Sequence, residues 1–257
     1  MLEKEEIKKI AKIKGLTAKN TEKDYLLEIL LFLLYKETGI NLVFKGGTAL
    51  YKLYSLNRFS EDLDFTLNPS KINIGKLFKK LIHKLRDINI EGRIKEITEY
   101  KNQKNIKLEL KGPLFDGNPN SLSLITINIS LKEKPVYKPE QKMIFSKYSD
   151  ITSFDVFIMP LNELFAEKIR CIITRDKARD IYDAWFMLKK GVKISIKDIN
   201  RKLKLYKEKF NKKKLIEGIE KKRKSWETDL KGLIIGELHP FDLVVKDIKD
   251  YLSEADI

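Results

Sequence analysis

The sequence predicts an α/β (α+β) fold, in which a mixed β-sheet flanked by helices precedes a mainly helical C-terminal region. Residues 42–67 show a strand, a glycine turn, a short helix and a second strand, and residues 91–130 contain further strand patterns. After Pro160 the apolar spacing becomes helical. We therefore expect two lobes, residues 1–159 and residues 160–257, which pack tightly because no Gly/Ser-rich linker separates them.

The segment that organises the chain is residues 42–67, LVFKGGTALYKLYSLNRFSEDLDFTL. Its first apolar run is short enough for a buried strand and stops at Gly46 and Gly47, where the backbone is unusually free. Thr48 is a good cap for the helix that follows. A glycine turn that opens a helix presents free backbone N–H groups, so the segment predicts a phosphate-binding site.

The second strand of this segment contains a D-x-D pattern. Because side chains alternate on a strand, Asp62 and Asp64 share one face with Ser60, while Leu63 and Phe65 point into a core. Two neighbouring carboxylates repel each other unless a divalent cation lies between them, and Mg²⁺ prefers one or two carboxylates plus substrate phosphates. The alternative is that both aspartates are solvated on an edge strand.

The remaining chain predicts the other elements in order. The run YLLEILLFLLYKE is apolar nearly all round, so its helix is expected to be buried. Asn162 is expected to cap the first helix of the C-terminal lobe. Predicted helices span residues 2–15, 21–38, 72–87, 162–173, 178–188, 196–210 and 212–226, and predicted strands span residues 93–99, 105–110, 122–130 and 154–159.

The composition indicates a cationic protein with a polyanionic partner. The 257 residues include 52 Lys and Arg against 37 Asp and Glu, a net charge of +15. Nucleic acid is the first candidate partner, and a generally lysine-rich proteome is the alternative. One cysteine excludes an internal disulfide, and the longest apolar run, residues 29–35, is too short to span a bilayer. With no N-terminal signal, we expect a cytoplasmic protein without membrane contact.

The motifs G-G-T-A-L at residues 46–50 and R-F-S-E-D-L-D-F at residues 58–65 resemble the signature of the AbiEii/AbiGii toxin family of nucleotidyltransferases. That family lies in the DNA polymerase β-like superfamily, whose hallmark is a G-G or G-S turn followed by D-x-D. The resemblance implies that Mg²⁺, held by the paired aspartates, binds an NTP triphosphate against the turn. The catalytic and metal-binding roles then fall on Asp62 and Asp64, and the nucleotide-binding roles on Gly46, Gly47, Thr48, Arg58 and Ser60.

One position departs from the superfamily pattern. A third carboxylate is expected on a neighbouring strand, and the matching strand here places Asn128 on one face with Thr126 and Ser130. An amide oxygen can ligate a cation, so Asn128 is a candidate metal ligand, but the amide is neutral and a poor base. Either one metal suffices, or a carboxylate from elsewhere substitutes, or Asn128 is simply polar on an exposed face.

A second group of charged residues lies in the C-terminal lobe. Physical chemistry alone would assign Lys168, Arg175, Asp180 and Asp183 to surface ion pairs. The resembled family has a K-x-x-R-like motif followed by R-D-x-x-D, in which the lysine approaches the nucleotide and an aspartate helps to build the active site. The resemblance therefore implies catalytic roles for Lys168 and Asp183 and nucleotide binding by Lys168 and Asp180. Asp180 pairing with an arginine to fix the helices is the alternative.

The resemblance implies a Mg²⁺-dependent nucleotidyltransferase that moves NMP from an NTP to an acceptor hydroxyl and acts as the toxin of a toxin–antitoxin or phage-defence system. Family precedent and the positive charge together point to tRNA, or another RNA, modified at its 3′ end, and a cognate antitoxin is implied. Protein nucleotidylation and a non-catalytic nucleotide- or RNA-binding module stay open. A D-x-D sugar-nucleotide transferase is disfavoured because those enzymes lack the preceding G-G-T turn.

Overall fold

The computed structural model describes residues 1–68, 72–100, 102–131 and 133–255. Two compact units are present, and short stretches of chain pass from one to the other. The first unit comprises Met1–Ser55, Phe59–Pro135 and Pro139–Ile158, and the second comprises Leu56–Arg58, Val136–Lys138 and the chain from Met159 onward.

The first unit is built on a mixed seven-stranded sheet, which confirms the predicted fold class. Its strands are β1 (Leu42–Lys45), β2 (Asp62–Leu67), β3 (Gly92–Tyr100), β4 (Gln103–Leu110), β5 (Ser123–Ser130), β6 (Glu140–Ile144) and β7 (Phe154–Ile158). They lie in the order β3-β4-β5-β2-β1-β7-β6. The pairs β1–β7 and β2–β5 are parallel, and the other neighbours are antiparallel. The helices are α1 (Lys4–Lys14), α2 (Ala18–Thr38), α3 (Gly46–Tyr54) and α4 (Ile74–Asp87).

The two faces of this sheet differ in polarity. On β5 the alternating residues Ile125, Ile127 and Ile129 are fully buried, whereas the residues between them are polar and partly exposed. Helix α2 packs on the apolar side, where the Tyr35 hydroxyl donates to the carbonyl of Leu42 at 2.9 Å. Helix α2 is buried along most of its length, as its apolar run predicts, and the acids that it buries lie in its N-terminal half. The polar face of the sheet is therefore the one whose side chains can contact a ligand.

A buried ion-pair cluster attaches α3 to α2. Lys52 on α3 lies 2.7 Å from the Asp24 carboxylate and also contacts Glu28, and both acids are buried. Lys14 contacts the second oxygen of Asp24 at 2.5 Å. Removing one partner of such a cluster would leave an uncompensated buried charge, so these contacts hold α3 in one orientation.

The second unit is helical in most of its length. Its helices are α5 (Leu161–Thr174), α6 (Arg179–Lys189), α7 (Ile196–Lys204), α8 (Lys212–Glu220), α9 (Trp226–Leu230) and α10 (Phe241–Glu254). Helix α5 is central and packs against α6, α7 and α8. The short segment from Leu56 to Arg58 joins this unit through backbone hydrogen bonding, in which the Ile235 N–H donates to the Asn57 carbonyl at 2.8 Å.

Several element boundaries differ from the sequence prediction. Helix α3 begins at Gly46, so Thr48 lies inside the helix instead of capping it. Pro160, not Asn162, is the N-cap residue of α5. The helix predicted from residue 196 to residue 210 ends at Lys204, and strand β6 was not predicted because its sequence is polar. Across the described residues, no helix has both the length and the apolar character needed to cross a membrane.

Candidate active site

The glycine turn and the D-x-D strand come together in the first unit. Strands β1 and β2 are antiparallel, and Lys45 at the end of β1 lies opposite Asp64. The next residue, Gly46, has φ +79°, and a Cβ atom placed there would lie 2.3 Å from Oδ2 of Asp64. A side chain at residue 46 would therefore displace the carboxylate, so glycine is required both by the backbone conformation and by the close approach of Asp64.

The first turn of α3 is joined to the same strand. Thr48 is fully buried, and its hydroxyl donates to the backbone carbonyl of Asp62 at 2.5 Å. The N-cap side chain of α3 makes no capping hydrogen bond, so the first N–H groups of the helix, from Gly46 and Gly47, keep the capacity to bind an anion. Ser60 is buried where the chain enters β2.

Asp62 and Asp64 lie on the polar face of the sheet, as predicted from the alternation of β2. Both side chains are partly exposed, whereas Leu63 and Phe65 between and after them are fully buried. Two carboxylates on one face, beside a turn with no Cβ, form a donor set that suits a hard divalent cation completed by water and phosphate oxygens. Among the described residues, no three His, Cys, Asp or Glu side chains form a metal-binding group.

Three side-chain amides, those of Gln103, Asn105 and Asn128, form a hydrogen-bonded amide row beside Asp64. Asn128 lies opposite Asp64 on parallel strand β5, and its amide nitrogen donates to Oδ1 of Asp64 at 3.0 Å. Its oxygen accepts from the amides of Asn105 at 2.6 Å and Gln103 at 3.2 Å. Because a carboxylate only accepts, the nitrogen of Asn128 must face Asp64, which directs the oxygen away from the aspartates. In this arrangement the Asn128 nitrogen orients Asp64 while two amides occupy its oxygen, and its role as a metal ligand stays a prediction.

Lys45 and Glu133 form a buried ion pair next to this row. The Lys45 ammonium lies 2.7 Å from Oε2 of Glu133, and both residues are less than a tenth exposed. The Glu133 backbone carbonyl accepts a hydrogen bond from Thr66, on the same strand as Asp64. The pair therefore places opposite, mutually compensating charges at the end of β1, where the glycine turn begins.

The charged residues predicted in the C-terminal lobe form one cluster in the second unit. Lys168 lies 2.9 Å from Asp180 and 2.8 Å from Asp183. Arg58 binds Asp183 with two hydrogen bonds of 2.9 Å, and Arg175 binds Asp180 with bonds of 2.7 and 2.8 Å. The bidentate geometry fixes both carboxylates, so α5 and α6 are held together with the segment that carries Arg58. The expectation of exposed surface ion pairs is wrong here, because Lys168 is 7% exposed and Asp183 is fully buried.

Electrostatic compensation keeps this cluster ionised. Burial by itself would raise the pKa of both acids, but Lys168 and Arg175 outweigh it at Asp180, and Arg58 and Lys168 outweigh it at Asp183, so both pKa values are lowered. Burial likewise opposes the charge of Lys168, yet its two aspartates raise its pKa. Lys168, Asp180 and Asp183 therefore stay charged at neutral pH.

Sequence reasoning missed four residues of these arrangements. Lys45 precedes the glycine turn, and a lysine that ends a buried apolar strand was a usable signal. Asn105 and Gln103 share a face by strand alternation, but their contact with Asn128 depends on the β4–β5 register, which the sequence does not give. Glu133 lies outside any predicted element, and nothing in the sequence indicated its pairing with Lys45.

A glycine turn that opens a helix, set against a D-x-D strand in a mixed sheet, defines the nucleotidyltransferase class. The sequence matches the family described as "Nucleotidyl transferase AbiEii toxin, Type IV TA system" over residues 31–253. The chain belongs to this AbiEii family of toxins and is accordingly a nucleotidyltransferase. No curated protein matches the chain.

Solved structures share the fold at low sequence identity. MenT4, a nucleotidyltransferase toxin from Mycobacterium tuberculosis H37Rv, has a TM-score of 0.71 and 17% identity over 100% of this chain and 90% of its own. JHP933 from Helicobacter pylori has a TM-score of 0.62 and 19% identity over 94% and 95% of the two chains. A putative nucleotidyltransferase from H. pylori has the same score and identity over 94% of this chain and 98% of its own. At these identities the likeness shows the fold.

The close approach of Asp64 to the turn predicts a strict requirement for glycine. Gly46→Ala is expected to destabilise the protein by roughly 1–3 kcal/mol, because the left-handed backbone is strained and the methyl group displaces the carboxylate. Gly232→Ala is the control, since a Cβ at residue 232 meets nothing within 4 Å and its backbone is not left-handed. Urea unfolding of the two variants measures the difference, and equal stability would contradict the geometry.

Proposed function

We propose that this toxin is a Mg²⁺-dependent nucleotidyltransferase that moves NMP from an NTP to an RNA acceptor, with the 3′ end of tRNA as the favoured target. The observation that carries the proposal is the contact between Gly46 and Asp64, which brings the anion-binding turn beside the carboxylate pair. The acceptor hydroxyl attacks the α-phosphorus of the NTP, the bond to the β-phosphate oxygen breaks, and pyrophosphate leaves. The hydroxyl proton passes to solvent.

The first unit would hold the triphosphate. Asp62 and Asp64 would bind Mg²⁺, which when present supplies charge neutralisation at the reacting phosphate. The N–H groups of Gly46 and Gly47 would donate to phosphate oxygens, with Ser60 as a further hydroxyl donor. Thr48 would act indirectly, since its hydroxyl is already bonded to the Asp62 carbonyl and so fixes the turn to the strand.

The ion-pair cluster around Lys168 in the second unit is also proposed to take part in nucleotide binding. Lys168 would neutralise phosphate charge, with Asp180 and Asp183 holding its ammonium in place and Arg58 supporting Asp183. An ammonium whose position is fixed by two carboxylates would meet a phosphate oxygen without first losing side-chain freedom.

The acceptor and the biological setting follow from charge and family. A net charge of +15 favours a nucleic acid over a neutral protein surface as the acceptor. Membership of a type IV toxin–antitoxin family supports a cognate antitoxin as a partner. The role in phage defence is part of the proposal. Because NTP and tRNA are cytoplasmic, the proposed place of action is the cytoplasm.

An incubation of the enzyme with labelled NTPs, Mg²⁺, total RNA and a protein extract tests the function. We expect label on RNA, lost on addition of EDTA and reduced at least about 10³-fold in Asp62→Asn and in Asp64→Asn, because both carboxylates act at the reacting phosphate. Asp155→Asn is the control, since Asp155 is an exposed strand aspartate on β7.

The other outcomes select the alternatives. Label on protein would establish nucleotidylation of a side-chain hydroxyl and overturn the RNA acceptor. Label on neither, with retained nucleotide binding, would establish a non-catalytic module. The neutral Asn128 in place of a third carboxylate is the observation that favours this last alternative, because it leaves the site without an additional base.

The amide row predicts that Asn128 tunes metal use by orienting Asp64. Asn128→Ala is expected to raise the Mg²⁺ concentration for half-maximal activity by roughly 10–100-fold, as loss of a group that orients a metal ligand does elsewhere. Asn105→Ala removes one bond to Asn128 and is expected to have a smaller effect. Ser130→Ala, on the same face of β5, is the control. A Mg²⁺ dependence unchanged in Asn128→Ala would show that the amide does not position Asp64.

A further inference from the structure

Most of the protein's excess charge lies in one segment of the second unit. Residues 189–224 contain 16 Lys and Arg and 4 Asp and Glu, a net charge of +12 out of +15 for the whole chain. The segment includes α7, α8 and the loop between them. Four acidic residues cannot compensate sixteen cations, so ion pairing within the segment leaves a strong positive field.

The structure separates the cations that support the fold from those that face solvent. Lys202 is buried and binds Glu163 at 2.6 Å, and Lys222 is buried and donates to the carbonyls of Ile172 at 3.0 Å and Gly218 at 2.7 Å. The other 14 are exposed. Burial therefore explains two of the sixteen. Four others, Lys189, Arg201, Lys214 and Arg223, form ion pairs of 2.7–3.3 Å with acidic side chains, and all fourteen exposed cations form a charged surface. Its members are Lys189, Lys190, Lys193, Lys197, Arg201, Lys204, Lys207, Lys209, Lys212, Lys213, Lys214, Lys221, Arg223 and Lys224.

An aromatic ring is held within this charged surface. Tyr206 is 48% exposed, and the Arg170 guanidinium lies 4.7 Å from its ring centroid. The loop that carries the ring is fixed, because the Phe210 N–H donates to Asn200 at 2.8 Å and the Glu208 N–H donates to Leu203 at 3.3 Å. A ring supported by a guanidinium, on a loop whose sequence is rich in lysine, matches the stacking sites that bind nucleic-acid bases.

We propose that the 14 exposed cations of residues 189–224, together with Tyr206, form an RNA-binding surface, which we call the α7–α8 surface. The lysines contact the phosphate backbone, and Tyr206 stacks against an unpaired base. The inference rests on the proposed function in that it names the surface that holds the acceptor RNA. An acidic protein would be attracted by the same charges, but an exposed ring held against a guanidinium matches more specifically a site that stacks on a base.

Binding of fluorescein-labelled bulk tRNA, followed by fluorescence anisotropy without NTP or Mg²⁺, tests the surface. The triple variant Lys204→Gln, Lys209→Gln, Lys213→Gln removes three exposed charges from it. The matched control is Lys9→Gln, Lys12→Gln, Lys79→Gln, three exposed lysines on α1 and α4. Both variants lower the net charge from +15 to +12, so they differ in the position of the charges and not in their number.

We expect the surface variant to bind tRNA on the order of tenfold more weakly and to lose about two units from the slope of log K against log salt, while the control stays close to wild type. Equal weakening in both variants would overturn the proposal, because bulk charge would then explain binding. Thermal unfolding midpoints within a few degrees of wild type would show that both variants are folded.

Tyr206 provides an independent check. Tyr206→Ala is expected to weaken tRNA binding roughly tenfold and Tyr206→Phe to retain it, since the phenyl ring still stacks. Tyr100→Ala is the control, because Tyr100 is 66% exposed on β3. A polyglutamate peptide that displaces tRNA from wild type and from Tyr206→Ala with equal potency would indicate an acidic protein partner and contradict the RNA assignment.

The outcomes separate this inference from the proposed function. If tRNA binds through the α7–α8 surface but no label is transferred to any acceptor, the surface is supported and the enzymatic proposal fails. If label is transferred to protein and tRNA does not bind, the enzyme stands and the surface proposal fails.

Discussion

The site depends on one steric constraint, the approach of the Asp64 carboxylate to the backbone of Gly46. The space that a Cβ would fill is taken by Oδ2 of Asp64. This contact can form only if β1 and β2 pair in the observed register and α3 starts at the glycine. The buried attachment of Lys52 to Asp24 holds α3 against α2, and the hydroxyl of Thr48 ties its first turn to β2. The local sequence and the packing around it thus place a helix N-terminus beside a carboxylate pair.

The carboxylates of the two units are stabilised in different ways. In the second unit Asp180 and Asp183 are buried, and neighbouring cations compensate their negative charges. Their role is structural, because they hold the Lys168 ammonium in place. Asp64 is partly exposed and is oriented by a neutral amide, Asn128. A neutral partner fixes the geometry of the carboxylate without cancelling its charge, and this is the condition that a cation-binding group needs.

The fold class and the convergence of the D-x-D strand with the glycine turn were predictable from the sequence. They depend on local signals, namely a short apolar run, two glycines and strand alternation, that act within a few residues. Thr48 was assigned the wrong local role because its hydroxyl bonds a neighbouring strand, and the amide row from Asn128 to Asn105 depends on strand register. The burial of Lys168 was also missed, because charge patterns on helices do not report which helices pack around them.

The central claim is that Asp62, Asp64 and the glycine turn together bind a metal-bound triphosphate. A crystal structure with Mn²⁺ and a non-hydrolysable NTP analogue, analysed by the anomalous signal of manganese, tests it most directly. We expect an anomalous peak in contact with both carboxylates, and phosphate oxygens within hydrogen-bond distance of the Gly46 and Gly47 N–H groups. A nucleotide bound elsewhere, or a manganese peak that touches neither aspartate, would contradict it.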